Sequence, residues 1–314
     1  MSMSSRSQAS EAPVRLLIVG CGDVGMRVLR RLPAGWKVCA LTSSPSRQEA
    51  LRAAGAHPLL GNLDDARTLR RLAGLATHVL HLAPPQASGA QDLRTRRLLQ
   101  ALRRAEPPQV LVYASTTGVY GDAQGAWLDE TAPLQPRSDR AHRRVDAEQA
   151  LRRFGRETGA HVSVLRVPGI YAWDREGGHP RERLARGTPV LEAADDVYTN
   201  HIHADDLARV CVRALLRAPA GRCFNVCDDT QLRMGEYFDL AADLCGLPRP
   251  PRISRAQARE QLSPMQLSFM AESRRLRNDR LKRELGLRLR YAEVREGLLA
   301  GSGELSDGGR CASC

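Results

Sequence analysis

Lysine is almost missing from this chain of 314 residues: it stands only at Lys37 and Lys282, so the 47 basic residues are nearly all arginine. Aromatic side chains are also scarce, at 4%. No apolar run approaches the ~20 residues that cross a bilayer, which excludes a membrane-spanning helix. The shortage of aromatics removes the stacking platforms that hold nucleic-acid bases, so the formal charge of +12 alone argues for such a partner. Arginines spread over many predicted helices read more simply as solvated faces, although 94–104 and 140–156 are locally dense in them. Nucleic acid is therefore not the expected partner.

Residues 1–13 lack the apolar segment of a secretion signal, which predicts a cytoplasmic protein with a disordered start. The eight cysteines are scattered and expected to be reduced. Cys311 and Cys314 form a C-x-x-C in a tail, 301–314, that reads as disordered. With no second pair to complete a tetrahedral site, no metal is expected.

What the sequence does contain is a glycine turn between a buried strand and a helix. Residues 15–19, RLLIV, run into Gly20-Cys21-Gly22-Asp23-Val24-Gly25, and apolar helical spacing resumes over 26–32. Strand, turn and helix in that order hold a dinucleotide pyrophosphate. Gly20 makes the tight turn, Gly22 lets the backbone approach the phosphates, and Gly25 lets the helix lie close to the sheet. Free N–H groups of the first helical turn, those of Asp23 and Val24 among them, then face the anion.

The second strand, 36–41, ends at Thr42-Ser43-Ser44-Pro45-Ser46-Arg47. An acidic residue here would bind a ribose 2′-hydroxyl and select NAD. Hydroxyls at Thr42 and Ser43, with Arg47, instead offer donors to a 2′-phosphate, so NADP is expected ahead of NAD. A short helix (46–54), a strand (57–60) and a capped helix from Asp64 or Asp65 to Leu72 follow, with Asn62 and Leu63 expected against the adenine. A strand at 77–82 leaves the sheet at Ala83-Pro84-Pro85, and a helix at 92–104 packs back. The strand 110–114 delivers Ser115-Thr116-Thr117-Gly118-Val119-Tyr120-Gly121-Asp122, hydroxyls at the carboxyl end of a strand, where open α/β sheets bind ligands. The alternation through 14–170 predicts a Rossmann-type doubly wound parallel sheet. A smaller C-terminal α+β substrate lobe is expected over 171–300, with 196–217 returning to the core.

These motifs in this order resemble an extended short-chain dehydrogenase/reductase of the NAD(P)-dependent epimerase/dehydratase type, most of all its YeeZ-like atypical group. The resemblance continues through Leu165-Arg166-Val167-Pro168-Gly169-Ile170-Tyr171, Asn200-His201-Ile202-His203-Ala204-Asp205-Asp206, Phe224-Asn225-Val226 and Asn278 to Gly286, and so spans about 14–298. It implies a small sugar-linked or anionic substrate, with Ala83, Pro84, Pro168 and Ile170 at the cofactor. It also places Thr116 at the serine/threonine that binds substrate, Arg140 where the family has its acid/base tyrosine, and Arg144 where it has a lysine. A guanidinium stays charged and cannot act as that base, whereas Arg144 can still donate a fork to a ribose or a phosphate.

If hydride chemistry survives, Tyr120 is the expected proton donor, with a pocket wall as its plainer role; His142 is the other titratable neighbour. A cofactor-binding protein without turnover is the alternative function. Arg175 or Arg181 could meet a substrate anion. The sequence leaves the oligomeric state open. The family's homodimers pair the helices that here are 92–104 and 139–156, whose arginines would need Glu148, Glu157 or bound anions between them.

Overall fold

Strand β1 (Arg15–Val19) sets the architecture, because its side chains are buried on both faces: Leu16 and Ile18 enter one hydrophobic core, Leu17 and Val19 another. A strand covered on both sides belongs to a parallel sheet flanked by helices. The computed structural model, which describes residues 13–300, contains that sheet. Its strands are β1, β2 (Lys37–Thr42), β3 (His57–Leu60), β4 (His78–His81), β5 (Val110–Thr116), β6 (His161–Val167) and β7 (Cys223–Asn225). They are all parallel and lie in the order β7-β6-β5-β4-β1-β2-β3. The order reverses between β1 and β4, and the carboxyl ends beside that reversal form the crevice where such sheets hold ligands.

Helices α1 (Asp23–Leu29), α2 (Gln48–Ala53), α3 (Leu93–Leu102) and α4 (Asp139–Thr158) alternate with these strands. The caps are local and chemical: Asp92 accepts Thr95 N at the start of α3, Ser138 Oγ accepts Ala141 N at the start of α4, and Gly159 ends α4 at φ 76°. Fully buried Leu98, Leu111 and Phe154 hold α3 and α4 against the sheet, each burial contributing about 1.5–3 kcal/mol. Among the described residues, no helix is long and apolar enough to cross a membrane.

The second, smaller body has its own core of Tyr171, Leu184, Val190, Leu191, Met234, Tyr237 and Phe238. It is built on α5 (Arg181–Ala185), α7 (Met234–Cys245) and the paired strands Val190–Leu191 and Arg252–Ile253. Between them, α6 (Ala204–Arg217) returns to the Rossmann body, where Leu207, Val210 and Cys211 join the same core as Leu16 and Ile18.

The chain from Arg222 onward does not all belong to the lobe, contrary to the expectation for 171–300. Strand β7 is the sheet edge beside β6, and Leu281, Leu285, Leu287 and Leu289 enter the Rossmann core. Asp206, fully buried, accepts the backbone N–H groups of Arg290 and Tyr291 and ties this last segment to α6. The tail cysteines and both expected disordered ends lie outside the described residues, apart from Pro13.

Candidate functional site

Helix α1 begins at Asp23, three residues earlier than apolar spacing alone indicates, so the second half of the glycine motif is its first turn. Gly20 sits at φ 87°, and a Cβ there would lie 2.5 Å from Ala83 N, so both backbone conformation and space require glycine. At Gly25 an added Cβ would meet Cys21 Sγ at 2.9 Å; it is the Cys21 side chain, rather than the sheet itself, that packs there. Gly22 differs from both, because a Cβ on it would meet no atom within 4 Å. Nothing inside the protein demands glycine at that place. The bare backbone edge, beside the unpaired first-turn amides of α1, fits a pyrophosphate that must approach closely.

Asp23 would oppose an anion were it free, but Arg27 Nε lies 3.1 Å and 3.2 Å from its two oxygens. Arg27 is buried and also binds Asp205 (2.7 Å) and Asp174 (2.6 Å), so one guanidinium locks α1 to α6 and to the loop entering the lobe.

A cavity of about 230 Å³ opens from this loop. Gly20, Gly22, Asp23, Val24 and Gly25 line one side, and Thr116, Arg144, Pro168 and Ile170 line it too, so the structure brings together residues more than a hundred positions apart. Leu82, Ala114, Ser115, Val167 and Leu207 complete the wall with Arg140 and Arg175. Sequence reading placed Ser115 in the hydroxyl run after the fifth strand and missed the other four; Leu82 and Val167 sit at or just past the carboxyl ends of parallel strands, a signal that could have found them.

The model of the NAD dependent epimerase/dehydratase family matches residues 16–227. The chain belongs to this family. It is similar to Protein YeeZ of Escherichia coli (28% identical over 248 residues, 75% of this chain and 85% of that one). It also resembles the GDP-6-deoxy-D-mannose reductase of Pseudomonas aeruginosa, at 29% over 268 residues, covering 78% and 86%. Among solved structures, a conserved protein of Silicibacter pomeroyi superposes with a TM-score of 0.77 at 34% identity, covering 93% of this chain and 99% of its own.

Of the residues expected at the far end of an epimerase/dehydratase cofactor, Thr42, Ser43, Arg47, Asn62, Leu63, Ala83 and Pro84 lie outside the cavity lining. Thr42 Oγ1 accepts Ser44 N, and Arg47 Nη2 reaches back 2.9 Å to the Cys21 carbonyl, joining the end of β2 to the glycine loop. Asn62 is exposed, with Oδ1 accepting Asp64 N, and Pro84 is exposed too. Leu63 and Ala83 are buried: Leu63 is a core side chain rather than an open face, and Ala83 serves as the stop against Gly20.

The proton-donor expectation for Tyr120 is corrected by the structure. A 3₁₀ turn over Thr117–Tyr120 swings the ring inward, where the hydroxyl accepts from Arg166 Nη1 (2.8 Å) and donates to Asn225 Oδ1 (2.7 Å). Tyr120 is 2% exposed and absent from the cavity wall, and burial drives its pKa up. His142 is also elsewhere, exposed beside the Ser138 carbonyl.

Arg144 and Arg140 do reach the cavity. Arg144 is buried and donates Nη1 to Tyr113 Oη (2.8 Å) and to the Ala114 carbonyl (2.7 Å). Arg140 is open to solvent at the rim of a concave wall, where desolvation and then the charges of Arg144 and Arg143 hold its pKa below the usual guanidinium range. Arg181 lies over the Trp173 ring, outside this cavity.

Three arginines of the dense 94–104 stretch are paired with carboxylates. Arg94 binds Asp64, Arg96 binds Asp146, and Arg103 binds Glu157 within the same chain. Glu148 is 1% exposed and bound to Arg166, so it cannot screen a helix pair across a dimer as expected.

Proposed function

We propose that the chain is a cytoplasmic, NADP-dependent reductase of a small anionic or sugar-linked carbonyl compound, working without an acid/base tyrosine. The observation that carries this reading is the composition of the cavity wall. Its titratable side chains are Arg140, Arg144, Arg175 and the ion-paired Asp23.

When bound, the cofactor supplies or accepts a hydride. The chain's own task is then to hold a carbonyl group and the negative charge that grows on its oxygen. Thr116 can donate its hydroxyl to that oxygen, and Arg140 and Arg144 bring positive charge to where an alkoxide develops, the arrangement that lowers such a barrier most. The alkoxide takes its proton from solvent, because the wall offers no histidine, cysteine, tyrosine or lysine to give one. Oxidation, or an epimerisation that begins by taking a proton from an alcohol, needs a base, and a guanidinium cannot serve as one. At neutral pH, water gives a proton to an alkoxide far more readily than it takes one from an alcohol, so reduction is the direction proposed, with the equilibrium itself set by the reactants.

NADP is preferred because no carboxylate follows β2, while Thr42, Ser43 and Arg47 offer hydroxyls and one cation. A second reading, cofactor sensing without turnover, draws on the same missing acid/base group. Fluorescence titration of the purified protein with NADPH and NADH, followed by cofactor oxidation over a panel of carbonyl compounds, separates the two. Tighter NADPH binding with measurable oxidation supports the reductase; binding with no oxidation across the panel leaves the sensor. Binding of neither coenzyme removes both.

A further inference from the structure

The first two turns of α4 place Arg140, Arg143 and Arg144 together, and among the described residues none has a carboxylate partner. Arg143 and Arg144 are 5% and 7% exposed, and the Nε of each is buried with no hydrogen-bond acceptor. Arg143 turns toward the Gly89 carbonyl (2.7 Å), while Arg140 and Arg144 face the cavity. Arg175, also on its wall, has a buried Nε without an acceptor and lies 3.6 Å from Asp23 Oδ2. Asp23 is the cavity's one carboxylate and already carries Arg27, so the wall holds a surplus of positive charge. Elsewhere among the described residues no arginine is so deeply buried without a carboxylate: buried Arg27 and Arg166 both have one. Buried charges that lack a partner inside the protein call for one outside it.

The size of the cavity narrows the choice. At about 230 Å³ it is smaller than the ~300–1,000 Å³ usual for drug-sized ligands, and the same space adjoins the glycine loop. Little room is left beyond a nicotinamide for a bulky second molecule.

We infer that Arg140 and Arg144, with Arg175, form an oxyanion site that binds a carboxylate or phosphate carried next to the carbonyl being reduced, so that the substrates are small 2-oxo acids or carbonyl phosphates rather than neutral ketones. This rests on the reductase reading above and assigns its substrate class. Arginine forks suit both anions, since each presents paired oxygens to two N–H donors.

The test uses the full chain saturated with NADP⁺ and titrates it by calorimetry with oxalate and, separately, with inorganic phosphate. Oxalate binding assigns a carboxylate, and phosphate binding alone assigns a phosphate; in either case Arg140→Gln should weaken the anion at least tenfold. Arg140→Lys, which keeps the charge and loses the fork, should recover part of that loss. Arg140 is exposed and makes no hydrogen bond or ion pair among the described residues, so its variants should stay folded, and unchanged NADP⁺ affinity is the internal check. Should neither anion bind while NADP⁺ does, or should Arg140→Gln bind them as wild type does, the site is overturned and the reductase reading survives. Failure of NADP⁺ itself to bind removes the reading underneath.

Discussion

Arg166 on β6 and Glu148 on α4 meet at two points inside the protein, Nε to Oε1 at 3.2 Å and Nη2 to Oε2 at 2.8 Å, with both side chains almost fully buried. Ser115, on the cavity wall, donates its hydroxyl to Glu148 Oε1 at 2.7 Å. Arg166 in turn donates to Tyr120, Tyr120 to Asn225, and Asn225 Nδ2 to the Arg277 carbonyl. One polar chain thus runs from the cavity side of β5 to the C-terminal segment.

Removing one member of a buried ion pair leaves the other charge uncompensated, at a cost of about 3–5 kcal/mol. Glu148→Gln should therefore shift the denaturant midpoint strongly downward. A loss below about 1 kcal/mol in urea unfolding would mean that water reaches Arg166 and that this junction is softer than its geometry indicates.

Tyr120 makes the contrasting case. Its hydroxyl belongs to this structural chain, so Tyr120→Phe should lower stability by about 1.5–3 kcal/mol, the worth of a hydrogen bond to a charged group. Coenzyme affinity and any turnover should stay close to wild type. Turnover that vanishes while coenzyme binding persists would return Tyr120 to the role of proton donor.

The same residue shows how far local pattern reaches. The sheet was legible because its signals are local: RLLIV buried on both faces, Asp65 and Asp92 at helix starts, glycines at the turn after β1. The left-handed Gly20 turn was legible for the same reason. Which way Tyr120 points depends on a four-residue 3₁₀ turn, and its partners lie 46 and 105 positions away. Arg27 is a similar case, since its two distant carboxylates are 147 and 178 positions along the chain. Strand β7 escaped notice because three residues are too short to display a period of two.

The glycine loop offers a paired test. Gly20→Ala puts a side chain into a left-handed backbone and against Ala83, so the variant should lose stability and coenzyme binding together. Gly22→Ala meets no protein atom within 4 Å, and its φ of −81° suits any residue. It should melt within a few degrees of wild type yet bind NADPH at least tenfold more weakly. Unaltered NADPH affinity in Gly22→Ala would argue that no phosphate rests on that backbone.

Acid should unfold the protein through two histidines. Burial pushes His81 down to about 3, with Arg144 adding to the effect, and burial does the same to His201. Both are neutral in the folded chain, whereas the unfolded chain protonates them near pH 6.5. Above that pH the two states bind equal numbers of protons, and stability is unaffected by these groups. Below it the unfolded state gains protons that the native state refuses, so stability falls with decreasing pH until about pH 3, by about 1.4 kcal/mol per pH unit for each histidine. Denaturation curves at pH 7, 6, 5 and 4 should show this slope, to which His78, His179 and His203, also lowered by burial, add; His201→Gln should reduce it by about 1.4 kcal/mol per pH unit.

The proposed preference for NADP rests on Arg47, whose Nη2 is held by the Cys21 carbonyl, so the guanidinium is fixed beside the glycine loop. A fixed fork loses little entropy on meeting a phosphate, and a charge-assisted hydrogen bond contributes about 1.5–3 kcal/mol. Arg47→Ala should therefore weaken NADPH about tenfold or more and leave NADH nearly unchanged, bringing the two affinities together. Arg47→Glu should go further, since a carboxylate there repels a 2′-phosphate and can accept from a ribose hydroxyl. Parallel fluorescence titrations of both coenzymes with the three proteins decide the matter: equal losses for NADPH and NADH would show that Arg47 supports the glycine loop without reading the ribose.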